Sequence, residues 1–187
     1  VMVSGNYKFT DKQLNKIKSW LEKGNTIIGI AGASKYLIDK KIVSETLIKD
    51  EKDEGVAHKP YVDARENRGK ERIGGVILKS IVDLTHPLGF GYEDSSVPVY
   101  KNNSVWLSPS KNEYSSVVRY SKDALIDGFM TENNKGKLEK SVSLVVSKVG
   151  RGIAILFADN PNFRGSWYGT NRLFLNAIFL RNQIYVP

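Results

Sequence analysis

The sequence predicts a three-layer α/β sandwich with a mostly parallel sheet and an antiparallel edge hairpin late in the chain. Three observations carry that expectation. An amphipathic stretch, Thr10–Gly24, runs directly into the short apolar segment Asn25-Thr26-Ile27-Ile28-Gly29-Ile30-Ala31, the mark of a strand buried on both faces. Val1–Ser4 ahead of it reads as another short strand, so strand, helix and buried strand form a βαβ unit. Near the other end, Val142–Val149 and Ile153–Ala158 flank Gly150-Arg151-Gly152 as a tight antiparallel pair. A polar corner, Asp159–Gly165, then leads into a helix from about Gly169 to Arg181.

The elements follow in order. Thr10 can cap the first helix, Gln13 completes a capping box, and Phe9 can staple onto Leu14. Leu14, Ile17 and Leu21 make its apolar face, and Gly24 is a fitting stop. A second helix is expected after Gly32-Ala33-Ser34, reaching about Leu47. Residues 49–72 mix both charge signs around few apolar side chains and read as a charged flexible loop. Gly75–Val82 and Ser116–Tyr120 look extended. Val97–Tyr100 and Val105–Leu107 read as a hairpin about Lys101-Asn102-Asn103. The whole is one domain, and its opening on a strand already under way is the expectation for a piece of a longer protein.

Composition excludes several chemistries. With no cysteine there is no disulfide, no thiolate metal site and no cysteine nucleophile, and a two-histidine site would need both His58 and His86. No apolar run approaches the roughly 20 residues of a membrane-spanning helix. The net charge of +8 raises nucleic acid or anionic glycans as partners. The lysines are scattered, however, and no aromatic platform interleaves with them, so the pattern favours a solvated basic surface over a nucleic-acid site.

Several spaced motifs coincide. They are the Gly-Asn-Thr-Ile-Ile-Gly strand after Trp20-Leu21, the run Asp83-Leu84-Thr85-His86-Pro87-Leu88-Gly89-Phe90-Gly91-Tyr92, and the closing Gly150-Arg151-Gly152, Phe157-Ala158-Asp159 and Phe163-Arg164-Gly165 block. As an ordered set they resemble the C-terminal accessory domain of bacterial, Bacteroidetes-type zinc carboxypeptidases, whose fold is similar to flavodoxin and the class I glutamine amidotransferases. The resemblance implies a non-catalytic interaction domain that packs on the peptidase domain of the same polypeptide, or helps to position its peptide substrates, in the periplasm or outside the cell. Zinc is then expected only in that separate peptidase domain. A carboxypeptidase of that kind needs a His-x-x-Glu pair, and neither His58 nor His86 is followed by one.

The amidotransferase comparison points to a sharp strand-to-helix turn where a cysteine would sit. Here that turn is Gly29-Ile30-Ala31-Gly32-Ala33-Ser34, with Ala31 or a near neighbour in the nucleophile's place. Ser34 is the nearby hydroxyl, and it reads as a helix cap more readily than as a nucleophile. Asp83 and His86 can form an acid–base pair with it in a degenerate hydrolase, or can simply shape a turn before Pro87. Arg164 can clamp a carboxylate or phosphate, or pair with Asp83 or Asp159 to hold the corner together. Asp159–Gly165 is the expected pocket edge. Gly150-Arg151-Gly152 lacks the run and context of a phosphate loop and reads as a hairpin turn.

Overall fold

The computed structural model describes residues 1–49, 60–65, 69 and 71–187. Most of the charged loop expected at 49–72 therefore lies outside the described residues. In chain order the elements are α1 (Asp11–Glu22), β1 (Thr26–Ile30), α2 (Gly32–Asp39), β2 (Val76–Val82), β3 (Ser96–Lys101), β4 (Ser116–Gly128), α3 (Glu132–Glu139), β5 (Val142–Val149), β6 (Gly152–Phe157) and α4 (Tyr168–Phe179). The six strands form one sheet in the order β1-β6-β5-β4-β2-β3.

The α/β layering is as expected, whereas strand direction differs inside it. Only β1 and β6 pair in parallel, joined by a parallel bridge from Met2 to Gly29; the other pairings are antiparallel. A continuous apolar run reports burial on both faces, and the centre of an antiparallel sheet buries both faces too. The β5–β6 hairpin accordingly occupies the middle of the sheet rather than its edge. Three further expectations fail. Helix α2 stops at Asp39, because Lys41 takes a left-handed turn (φ 54°) and Ile42 N–H returns to the Leu37 carbonyl. Residues 105–107 do not pair with β3, which pairs with β2; Leu107 instead bridges Leu47 and Val142. Helix α3 has no counterpart among the elements expected from the sequence.

Alternation along the strands sorts the core into layers. Ile28, Ile30, Leu144, Val146, Ile155 and Phe157 face one side, where Leu88 and α4 residues Leu173 and Ala177 cover them. Ile27, Val145, Ala154 and Leu156 face the other, under Leu14 and Leu21 of α1 and Leu37 of α2. The capping box of α1 is present, with Gln13 N–H on Thr10 Oγ1 at 3.4 Å and Thr10 N–H on Gln13 Oε1 at 2.8 Å, a device worth about 1 kcal/mol.

Strand β4 is long and bulged. Its Arg119 is the last residue matched to β5, and Tyr120–Gly128 continue beyond alongside β2. The far ends of β2 and β4 build a third cluster with Ile73, Trp106, Met130 and Leu138, and Lys101 at the end of β3 and Tyr120 of β4 reach Asp159 just past β6.

Candidate functional site

The joint between β1 and α2 has the backbone of a nucleophile elbow and no nucleophile. Ala31 sits there at φ 49°, ψ −114°, a conformation that L-residues avoid and that persists only where surroundings enforce it. Its amide donates to the Phe157 carbonyl at 2.8 Å, and the residue is 5% exposed. The next amide, Gly32 N–H, would be the natural oxyanion donor at such a turn. It donates to Ser4 Oγ at 3.1 Å, while the same hydroxyl reaches the Ile30 carbonyl at 3.4 Å. The N-terminal segment thus closes the elbow from outside.

Ser34 is not the cap of α2. Ala31 occupies the cap position without any side-chain bond, and Ser34 is the third residue inside α2. Its hydroxyl is fully buried and donates to the Phe157 carbonyl at 2.8 Å, tying α2 to the end of β6. Gly29 permits this closeness: a Cβ there would lie 3.1 Å from both Ser34 Oγ and Leu37 Cδ1.

Asp83 and His86 shape a turn on the other face. Asp83 Oδ1 accepts from Thr85 N–H at 2.9 Å and Thr85 Oγ1 at 2.6 Å, and these bonds, the hydroxyl first, hold its carboxyl below the usual range. His86 Nδ1 accepts Leu88 N–H at 3.1 Å and caps the short 3₁₀ turn Pro87–Gly89. Burial lowers the imidazole's pKa against the pull of Asp83. Leu88 of this turn packs in the α4-side cluster, whereas Leu37 of α2 packs in the opposite one. The structure therefore does not gather Ser34, Asp83 and His86; each serves its own stretch of backbone.

Asp159 does converge with other groups, though not with Arg164. Lys101 Nζ donates to Asp159 Oδ1 at 3.0 Å, and Tyr120 OH and Ser143 Oγ donate to Oδ2. Lys101 is 0% exposed, lies 4.4 Å from the centre of the Trp106 ring, and also donates to the Val105 carbonyl at 2.8 Å. Burial drives the lysine's pKa down, with Asp159 opposing, and burial followed by Asp159 drives the Tyr120 phenol well up. The space beyond the carboxyl end of β6, where α/β proteins place ligands, is here packed with this network. Sequence reasoning finds Asp159 and misses Lys101, because it places that lysine in a hairpin turn rather than in β3.

Arg164 stands apart at the exposed corner in a left-handed conformation (φ 54°), its guanidinium 5.2 Å from the Phe163 ring. Phe163 in turn stacks on Tyr100 at 4.0 Å, so the corner is held by ring contacts rather than by the expected ion pair.

A separate concavity lies among the described residues. A cleft of about 1280 Å³ runs along segment 41–49, between α1 and α2 on one side and Glu71 and α3 on the other, with Trp106 in its wall. Glu45 faces it half-buried; desolvation raises its pKa, opposed by the hydroxyl of Ser110 at 3.1 Å. Among the described residues no three His, Asp or Glu side chains converge as metal ligands. No helix among them is long and apolar enough to cross a membrane.

No protein-family model and no curated protein sequence matches the chain. Solved structures do match in shape. PurLQS from Thermotoga maritima aligns with TM-score 0.50 at 15% identity, over 89% of this chain and 67% of that one. A putative GMP synthase component from Thermoplasma acidophilum gives 0.51 at 13%, over 92% and 65%. A cytoplasmic protein of Salmonella typhimurium gives 0.52 at 12%, over 93% and 62%. The chain therefore spans roughly two thirds of the length of these proteins. At such identities the likeness speaks for fold alone, and the fold is glutamine amidotransferase-like.

Proposed function

We propose that this chain is a non-catalytic accessory domain of a zinc carboxypeptidase, packing on the peptidase module or positioning its peptide substrates outside the cytoplasm. One observation carries the non-catalytic part of the reading. The elbow that would present a nucleophile holds Ala31, and the Gly32 amide that would stabilise an oxyanion is occupied by Ser4 Oγ. A methyl group offers no electron pair for attack, and a donor already engaged is not free for developing charge. Support for the peptidase link is narrower: it is the ordered resemblance of the motifs from Asp83 to Tyr92 and from Gly150 to Gly165. The surface suits docking, since α4 exposes Leu175 and Phe179 while burying Leu173 and Ala177.

The test begins with the complete reading frame, which should encode a His-x-x-Glu zinc module upstream. Removing this domain from that protein should raise KM for long peptides several-fold and leave kcat unchanged, the pattern of lost substrate positioning. A free-standing short gene would defeat the reading. So would glutamine or ester hydrolysis by this chain that disappears in Ser34→Ala.

A further inference from the structure

Among the described residues the cleft along 41–49 carries an unpaired sheet edge, and we propose that it binds an extended acidic peptide segment by adding a strand to that edge. The ladder geometry fixes which backbone groups are free. Leu47 faces Leu107 in an antiparallel bridge flanked by Ile48 N–H to the Trp106 carbonyl (2.9 Å) and Ser108 N–H to the Thr46 carbonyl (3.0 Å). In such a pair the residue between the flanking bonds turns its own N–H and C=O away from the partner strand. Leu107 uses that outward direction to accept Val142 N–H at 2.9 Å, which ties the ladder to β5. Leu47 stands at the outer end of this ladder, and among the described residues no acceptor meets the amides of Glu45 or Leu47. An edge of this kind pairs readily with an incoming extended chain.

Charge selects the occupant. Lys18 of α1 and Lys41 and Lys49 at the two ends of segment 41–49 line the cleft, and none forms an ion pair among the described residues. Four carboxylates line the cleft as well, and all but Glu22 are engaged among the described residues. Asp39 holds Lys35 at 2.6 Å, Glu71 accepts from Asn133 at 3.0 Å, and Glu45 accepts from Ser110 Oγ at 3.1 Å. The balance attracts a chain carrying carboxylates, and the ladder demands that it be extended. This site is separate from the elbow and stands whether or not a peptidase accompanies the chain.

The test uses a fluorescein-labelled peptide of alternating Glu and Val, with anisotropy as the readout. The peptide should bind at low salt, and affinity should fall about tenfold in Lys41→Glu/Lys49→Glu as steering and contact charge reverse. Leu47→Pro removes the outward N–H while leaving both flanking ladder bonds intact, and should also weaken binding about tenfold. A peptide N-methylated at alternate amides should lose affinity for the unaltered chain, which keeps the edge testable if Leu47→Pro fails to fold. The proposal is overturned by absence of binding. It is equally overturned if inorganic polyphosphate competes as well as the peptide while N-methylation has no effect, since that is the behaviour of a diffuse basic surface.

Discussion

The imidazole of His86 accepts the Leu88 amide through Nδ1, and an Nδ1 that carries a proton can no longer do so. Burial lowers its pKa below the ordinary 6.5, so the unfolded chain takes up the proton first as pH falls. Stability from this group is therefore complete above about 6.5 and declines as pH drops through the folded value. His86→Asn keeps an acceptor for Leu88 and removes the titration. Urea midpoints of that variant should stay flat between about pH 7 and 5 where the parent declines; parallel curves would sink the argument. Asp83, with its lowered pKa, acts in a separate window below the ordinary 3.8. Ala31 at the elbow and the turn-shaping role of Asp83 and His86 were legible in the sequence, because spacing and a following proline announce them. The burial of Lys101 was not, since nothing local distinguishes a lysine that will meet Asp159, 58 residues on.

Elements were legible where their ends carry chemistry. Helix α1 announces itself by Thr10 and Gln13, and the β5–β6 turn by Gly150 and Gly152. That turn has a packing reason as well. A Cβ on Gly152 would lie 2.1 Å from the Leu21 carbonyl oxygen and 2.3 Å from that of Asn25, so the end of α1 rests directly on the hairpin. Both obstacles are backbone. Gly152→Ala should cost about 2–3 kcal/mol, the upper range for overpacking, read from the urea midpoint at unchanged slope. A loss within experimental error would mean the helix end moves freely. Helix α3 stayed hidden because Glu132–Glu139 is polar around most of its circumference and contains Gly136, so its apolar anchor, Leu138, leaves no periodic trace. The early stop of α2 was hidden for the opposite reason: Lys41 takes the left-handed position that a glycine would have advertised.

In the whole molecule, the Lys101–Asp159 contact pins the end of β3 to the chain just past β6. Breaking one partner leaves the other buried and unpaired, so Lys101→Met should cost about 3–5 kcal/mol. The double variant with Asp159→Leu should cost less than the sum of the single changes, because no uncompensated charge remains. Strict additivity in denaturant unfolding would show that the two groups do not interact. Class and layering were readable from the sequence, but strand direction was not, since neighbours in the sheet are chosen by partners far along the chain. The placement of β1 carries that fact into the cell. Its in-sheet partner is β6, and the bond that seats α2, Ser34 to Phe157, joins residues 123 apart. A ribosome making this chain releases the apolar segment Thr26–Ile30, one edge of which Met2 pairs, long before β6 exists to cover the other. During that interval the nascent protein offers a sticky strand to chaperones and to its own neighbours on the same message, a window that lengthens as synthesis slows.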